Sequence, residues 1–360
     1  MKIEGLEKKY QAFYAPGFQI LVEGKDLLAE KMEVTSVQVD NILDGADHFS
    51  FTIDNGFDLT NREFNWLMSL LAFGKKVKIH LGYTDIKKLE LMHFGLITSV
   101  SVDFPSGGVP QITVSGFDFS HCMMQGRQSR SWDSKKDSQV AREIASEHNL
   151  KSDVQDSQVI HPRVEQTQES NYHFLKRLAD RNGFELYVFN DTLFFKEPSC
   201  NESAAVTLEW GKGLISFSPD VNLAKQIAAV EVRGWDMKSK KEIVGKAKKG
   251  DELGRDSGRR SGADVMASIY KEDTVLRIRQ PVYSQQEADR QAKAILRKRS
   301  EIFVKGSGQS VGIPEIRADT NIELLGLGKV FSKTYYIEKA THTINASGYK
   351  TAFNVKDTTI

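Results

Sequence analysis

One β pattern occurs twice in this sequence, and that repetition narrows the possible folds more than any other feature. Residues 75–118 read KKVKIHLGYTDIKKLELMHFGLITSVSVDFPSGGVPQITVSGFD. Three apolar runs, 77–81, 91–102 and 110–114, are rich in β-branched and aromatic residues and bounded by Gly, Pro, Asp or Ser. Antiparallel strands joined by tight turns have that composition. Alternation is loose over 97–102, so the middle strand is expected to have both faces partly covered. The pattern returns late in the chain. Residues 322–326 (IELLG) echo 79–82 (IHLG), 335–343 (YYIEKATHT) echo 94–102 (FGLITSVSV), and 349–355 (YKTAFNV) echo 111–117 (QITVSGF). Two copies of one small β-unit in one chain amount to a duplication.

The chain in order fills in the rest. Residues 18–22, 32–40 and 48–53 read as strands, the last placing Phe49, Phe51 and Ile53 on one face. Phe64, Leu67, Leu70 and Leu71 fall at helical spacing and Gly74 ends the run, so 63–72 is expected to be a helix. The first unit is then a barrel or curled sheet of six or seven strands with one short helix. Residues 125–136 form a polar connector. A helix starts at Asp137 or Ser138, and a second at Ser170 stops at Asn182-Gly183. Residues 184–189 and 192–196 form a hairpin around Asn190-Asp191, completing a small α+β module. Strands are expected at 206–208, 214–218 and 227–233. Residues 246–262 (KAKKGDELGRDSGRRSG) carry six basic and three acidic residues and little to bury, so they read as an exposed mobile loop. Ser284 to Glu287 is a capping-box pattern opening a helix with Ala288, Ala292, Ile295 and Leu296 inward. The closing β section begins near Gly306.

Composition bounds the function. A chain of 360 residues has room for two or more domains. Its formal net charge of +1 gives no whole-chain preference for nucleic acid or an anionic membrane. No apolar run approaches the roughly 20 residues that span a bilayer. The charged start MKIEGLEKKYQ lacks a secretory core. Cys122 and Cys200 supply no disulfide framework or metal spacing, consistent with a reducing cytoplasm.

No catalytic pattern stands out. The eight histidines (His48, His80, His93, His121, His148, His161, His173 and His342) form no HExxH and no ligand spacing with a cysteine. The Walker motif is absent, and residues 305–308 (KGSG) read as a turn. Asp85, Glu90, Asp103 and Asp118 are candidate paired carboxylates, with a solvated surface as the alternative. Trp66, Trp132, Trp210 and Trp235 could stack on sugars; Trp66 fits a core stripe, and Trp132 is the candidate contact residue. The basic loop has charge but no aromatic platform for single-stranded nucleic acid. No catalytic, cofactor or metal residue is assigned.

Several stretches, taken together and in order, resemble a known family. They are FQILVEG, VTSVQVDNILDGADHFSFTI, FGKKVKIHLGY, HFGLITSVSVDFPSGGVPQITVSGFD, KDSQVAREIASEHNL, SNYHFLKRLADRNGFELYV and YYIEKATHTINASGYKTAF. The family is the phage late control protein D family, similar to contractile-tail hubs and to the first part of type VI secretion spike proteins. In its closing motif, Tyr336, His342, Gly348, Tyr349 and Thr351 hold the matching places.

The resemblance implies a β-rich α+β fold: two related antiparallel β-barrel (tube-type) domains with smaller α+β inserted modules. The expected boundaries are 1–122 for the first barrel and 123–205 for an α+β module. The second barrel takes 206–240 with 306–360, and 241–305 is an inserted mobile loop and helix. The resemblance also implies a non-enzymatic homotrimer at the tip of a tail tube. Three chains with two like barrels each present six like units, joining a six-fold tube to a three-fold spike. Spike protein, tail tube protein, tape-measure protein and baseplate wedge proteins are the expected partners. The expected location is a virion tail baseplate assembled in the host bacterial cytoplasm. Because the sequence ends at Ile360, just after the second barrel, the spike is expected to be a separate polypeptide. The competing readings are a tail-tip cell-wall hydrolase or glycan-binding protein, and the hub-like front part of a non-contractile tail tip.

Overall fold

The computed structural model describes every residue except 65, 67–68, 84–87, 237–238, 257 and 271–274. A short helix, α1 (Ile3–Lys9), precedes the first β-unit. That unit consists of β1 (Pro16–Val22), β2 (Val34–Ile42), β3 (His48–Ile53), β4 (Lys76–Tyr83), β5 (Glu90–Asp103) and β6 (Gln111–Asp118). Across the sheet their order is β1-β4-β5-β6-β3-β2, every neighbour antiparallel. Alternation builds the inner face: Phe49, Phe51 and Ile53 on β3 and Ile112 and Val114 on β6 are at most 1% exposed. Burying side chains of this size stabilises by about 1.5–3 kcal/mol each.

An α+β module follows. It contains β7 (Gln128–Lys136), α2 (Asp137–Glu147), β8 (Lys151–Val154), β9 (Ile160–Glu169), α3 (Asn171–Asn182), β10 (Glu185–Phe189) and β11 (Thr192–Lys196). Strand β7 pairs with β9, and β8, β11 and β10 form a second small sheet. The helix ends match their sequence signals. The Ser170 side chain accepts from the His173 N–H at the start of α3, and Gly183 ends it with φ 70°. Val140, Ile144, Phe174, Leu175 and Leu178 form the core of this module.

The second β-unit opens with β12 (Val206–Trp210) and β13 (Gly213–Val221). A second module then intervenes: β14 (Ala229–Asp236), β15 (Lys241–Lys248), α4 (Gly262–Ile269), β16 (Val275–Arg279) and α5 (Gln285–Ser300). The unit resumes with β17 (Val304–Val311), β18 (Asn321–Leu325), β19 (Lys333–Asn345) and β20 (Gly348–Asp357). Here the order β12-β18-β19-β20-β17-β13 closes on itself into a six-stranded barrel.

The two units are copies in chain order and in pairing, with β1 to β6 corresponding to β12, β13, β17, β18, β19 and β20. They share their irregularities as well. A bulge falls between Ile97 and Ser99 on β5 and between Ile337 and Lys339 on β19. Another falls between Val34 and Ser36 on β2 and between Leu214 and Ser216 on β13. A bulge puts two residues against one and bends the strand, so a matching pair of bulges fixes the alignment. The units differ at their first strands. Strand β1 runs antiparallel to β4, whereas β12 runs parallel to β18. Among the described residues β1 makes no ladder with β2.

This alignment corrects the echo read from sequence by one residue. The sequence reading matches Tyr335 to Phe94, but the ladders match it to Gly95, since Tyr335 pairs with Ile322 and Gly95 with Val77. A one-residue slip exchanges the faces of a strand. Tyr335 fills the second barrel at 1% exposure. At Gly95 there is no such space, because a Cβ there would lie 2.2 Å from the Phe117 carbonyl oxygen.

Other expectations also change. Among the described residues 63–72 contain no helix: Glu63–Phe64 is a short strand paired with Phe57–Asp58, and Trp66 has φ 62°. Leu67 lies outside the described residues. The stretch at 227–233 belongs to β14, in a separate sheet with β15 and β16, not to the second barrel. Residues 305–308 lie within β17 and are not a turn. Gly306 and Gly308 leave room there for the Phe217 and Phe353 rings.

The basic stretch 246–262 is not a free loop. It begins in β15 and ends at α4. Arg255 pairs with Asp264 at 3.0 Å, and Arg259 donates to the Val330 and Ser332 carbonyls at 2.8 Å. On α5, Arg297 is buried along with the inward Ala288, Ala292 and Leu296, at only 5% exposure.

Candidate assembly interface

Within the chain the two units meet along β2 and β19, which pair antiparallel from Val37 opposite Ile344 to Ile42 opposite Lys339. Asp40 sits at the centre of this seam. Its carboxylate accepts from Thr341 Oγ1 at 2.6 Å and lies 3.7 Å from His48 Nδ1. Burial would raise its pKa, but the bonds from His48 and Thr341 outweigh that and hold it low. Asn41 spans the end of the seam. Its amide donates to Asp47 at 2.7 Å and its oxygen accepts the Ala318 N–H at 2.7 Å. On the other side, Tyr83 donates to the Gly312 carbonyl at 2.8 Å, and Lys9 bridges Glu90 and Glu315 at 2.9 Å each. The two cores merge into one apolar cluster that spans both units.

Behind the seam lie two buried carboxyls. Burial pushes Asp47 up to about 7 against the bonds from Ile42 and Asn41. Burial and the Asp47 charge together raise Asp118. The folded chain therefore keeps protons here that the unfolded chain has released. That costs stability progressively as pH rises from about 4 to about 7. Asp118→Asn removes one of the two charges. Its unfolding free energy, measured by urea titration at pH 5 and pH 8, is expected to gain on wild type by about 1 kcal/mol or more at the higher pH. An equal difference at both pH values would refute this.

The closing motif is brought together as a structural network. His342, fully buried, donates from Nε2 to the Ile316 carbonyl at 2.9 Å. Its Nδ1 accepts from Tyr349 OH at 2.9 Å and lies 3.1 Å from Thr351 Oγ1. Burial lowers the His342 pKa to about 4, so the ring is neutral and this donor pattern is fixed. Gly348 turns the β19–β20 hairpin with φ 97°. Tyr336 reaches out of the network to a different centre, Asp319.

Asp319 and Arg297 hold the modules to the second barrel. Asp319 accepts from Tyr187 OH and Tyr336 OH at 2.8 Å each and from the Ser199 N–H at 2.9 Å, and it lies 3.3 Å from Lys196 Nζ. It is 5% exposed and has φ 59°. Arg297, on α5, bonds Glu185 at 2.5 Å, Glu301 and the Gly183 carbonyl. Lys356 on β20 adds a bond to Glu301 at 2.7 Å. Burial alone would lower the Arg297 pKa, but the Glu301 and Glu185 carboxylates outweigh it and hold the group charged.

Among the described residues, the carboxylates considered for catalysis do not converge. Glu90 and Asp103 stand at opposite ends of the 14-residue β5, separated by about 40 Å of strand. Asp118 is buried behind the seam, and Asp85 lies outside the described residues. Trp132 is half-buried: it stacks on Phe174 at 5.3 Å and donates to Glu143 at 2.9 Å. Trp66 packs against the main core, whereas Trp210 and Trp235 are 64% and 54% exposed. Among the described residues no cluster of His, Cys, Asp or Glu could hold a metal ion. Sequence reading missed Asp40, Asp319 and Arg297. Each is a single charged residue whose partners come from distant parts of the chain, so no local spacing marks it.

Solved structures share this fold. The 43 kDa tail protein of prophage MuSo2 from Shewanella oneidensis aligns over 95% of this chain and 98% of its own, with TM-score 0.70 and 13% identity. A tail protein from Neisseria meningitidis aligns over 96% and 97%, with TM-score 0.68 and 12% identity. An Escherichia coli component of the type VI secretion system aligns over 93% and 76%, with TM-score 0.56 and 12% identity. That protein is itself described as structurally similar to tail proteins of bacteriophage T4. No curated protein matches the sequence. Residues 14–346 match the family described as the Alg8 N-terminal domain, and the chain belongs to that family.

Proposed function

We propose that this chain is the structural baseplate hub of a contractile phage tail or phage-like particle, of the late control protein D kind. Three chains form a ring that adapts a six-fold tail tube to a three-fold spike. The observation that carries this reading is the strand-for-strand repetition of the two β-units, shared bulges included. Two like units per chain turn a trimer into six like positions, and the contacts between neighbours are heterologous and close on themselves. The fold shared with tail proteins and a type VI secretion component supports the same role.

One face of the ring receives the first tube ring and the other seats the spike. Tape-measure and baseplate wedge proteins are the further partners, and the assembled location is the virion tail baseplate, reached from the host cytoplasm. Such a role depends on shape. It uses the rigid docking of both modules through Asp319 and Arg297 rather than a reacting group. Light scattering of the purified chain tests the proposal. A molar mass three times that of the chain is expected, and a monomer at micromolar concentration, alone and with spike protein added, would overturn it.

A further inference from the structure

The seam between β2 and β19 has a counterpart on this chain that is left open. By the shared bulges, β13 stands where β2 stands and β5 stands where β19 stands. The β2–β19 edges are paired and covered. Among the described residues, the equivalent edges of β13 and β5 are not. On β2, Val37 and Val39 are fully buried, whereas their equivalents on β13, Phe217 and Pro219, are half-buried. On β19, Ala340 and His342 are fully buried, whereas their equivalents on β5, Val100 and Val102, are half-buried. Ser99, Ser101, Ser218, Asp220 and Val221 are all exposed.

We propose that β13 of one copy pairs with β5 of the next, in the register that β2 and β19 keep within a chain. This rests on the ring reading above and specifies its joint. Transferring the register sets Asp220 opposite Ser101, as Asp40 stands opposite Thr341. The chemistry transfers too. Thr341 donates to Asp40 at 2.6 Å, and Ser101 offers Asp220 the same hydroxyl. A base faces each aspartate from the neighbouring strand: His48 opposite Asp40, and Lys305 opposite Asp220. The same register places Val100 against Val221 and Val102 against Pro219, giving the joint an apolar stripe.

The joint is one backbone bond poorer than the internal seam. Asn222 donates its N–H to the Phe303 carbonyl, so alternate residues 221, 219 and 217 turn their backbone groups outward. Pro219 has no N–H to offer there. Proline on an edge strand also discourages indiscriminate strand addition, which suits an edge meant for one register. Each copy supplies one β5 edge and one β13 edge, so three copies close without a free edge.

Cysteine cross-linking of the full chain tests the register. In a Cys122→Ser, Cys200→Ser background, Ser101→Cys with Asp220→Cys places two thiols on directly opposed residues. Their outward-facing side-chain pair is of the non-hydrogen-bonded kind, about 4.5 Å between Cα atoms, within disulfide reach. Mild oxidation is expected to give a ladder on a non-reducing gel that ends at a closed trimer. Asp103→Cys with Asp220→Cys, two residues out of register, is expected to give less than about a tenth of that yield. Equal yields, or a ladder running past the trimer, would overturn the proposed joint. A trimer by light scattering that does not cross-link at Ser101→Cys and Asp220→Cys would overturn the joint and leave the ring standing. A monomer would overturn both.

Discussion

Arg297→Ala is expected to destabilise the fold by about 3–5 kcal/mol, the cost of removing one partner from a buried ion pair. The guanidinium lies between Glu185 of the first module, Glu301 after α5 and the Gly183 carbonyl, with Lys356 of the barrel beside it. Removing it leaves two buried carboxylates to share one lysine. Replacing the charges together separates this from lost packing. Arg297→Met with Glu185→Gln and Glu301→Gln is expected to recover at least half of the loss, because desolvation costs disappear with the charges. Denaturant titration of the three proteins, wild type included, checks it. A single Arg297→Ala within about 1 kcal/mol of wild type would show that the cluster does not hold the modules together.

Asp319→Ala is the second large effect, expected at about 3–5 kcal/mol. The carboxylate collects the hydroxyls of Tyr187 and Tyr336, the N–H and hydroxyl of Ser199, and the Lys196 ammonium. These come from the first module, the connector behind it and the barrel, and each donor left buried without a partner costs about 1–3 kcal/mol. The backbone adds a smaller share. Asp319 has φ 59°, a conformation that Asp and Asn tolerate better than Ala. Asp319→Asn keeps that tolerance and one acceptor, so it is expected to cost less than half as much. Limited proteolysis gives a second readout: the Asp319→Ala chain is expected to be cut faster within the connector at 197–205, where Ser199 and Glu202 are bonded to Asp319 and Asn321. Unchanged cutting would mean that the module is docked by other contacts.

Much of the fold was legible because it is local. Phe49, Phe51 and Ile53 alternate as an inward strand face does, and they form one. Ser170 and Gly183 mark the ends of α3 as capping chemistry requires. Ser284 caps α5, although Glu287 reaches back to the Tyr283 N–H rather than to the cap residue itself. The repeat was visible as well, but its register was not. Matching aromatic to aromatic set Tyr335 against Phe94, and only the bulges at Ile97 and Ile337 show the true alignment.

The failures share a physical cause. Composition made 246–262 look unable to order itself, yet its arginines are held by Asp264 and by carbonyls at Val330 and Ser332. Those partners are not in the stretch being read. Asp40, Asp319 and Arg297 were invisible for the same reason, since the roles of all three exist only once distant strands and modules become neighbours. At 63–72 the apolar spacing suggested a helix, whereas Leu71 instead closes a turn onto Trp66 and is fully buried. Periodicity over so few residues cannot separate the two.

Electron microscopy of the purified assembly in negative stain tests the central claim most directly, because it counts like units in a ring. Class averages viewed down the axis are expected to show six densities of similar shape around a central channel, with only three-fold symmetry once the modules are included. Averages showing three lobes, or no closed ring, would contradict the account.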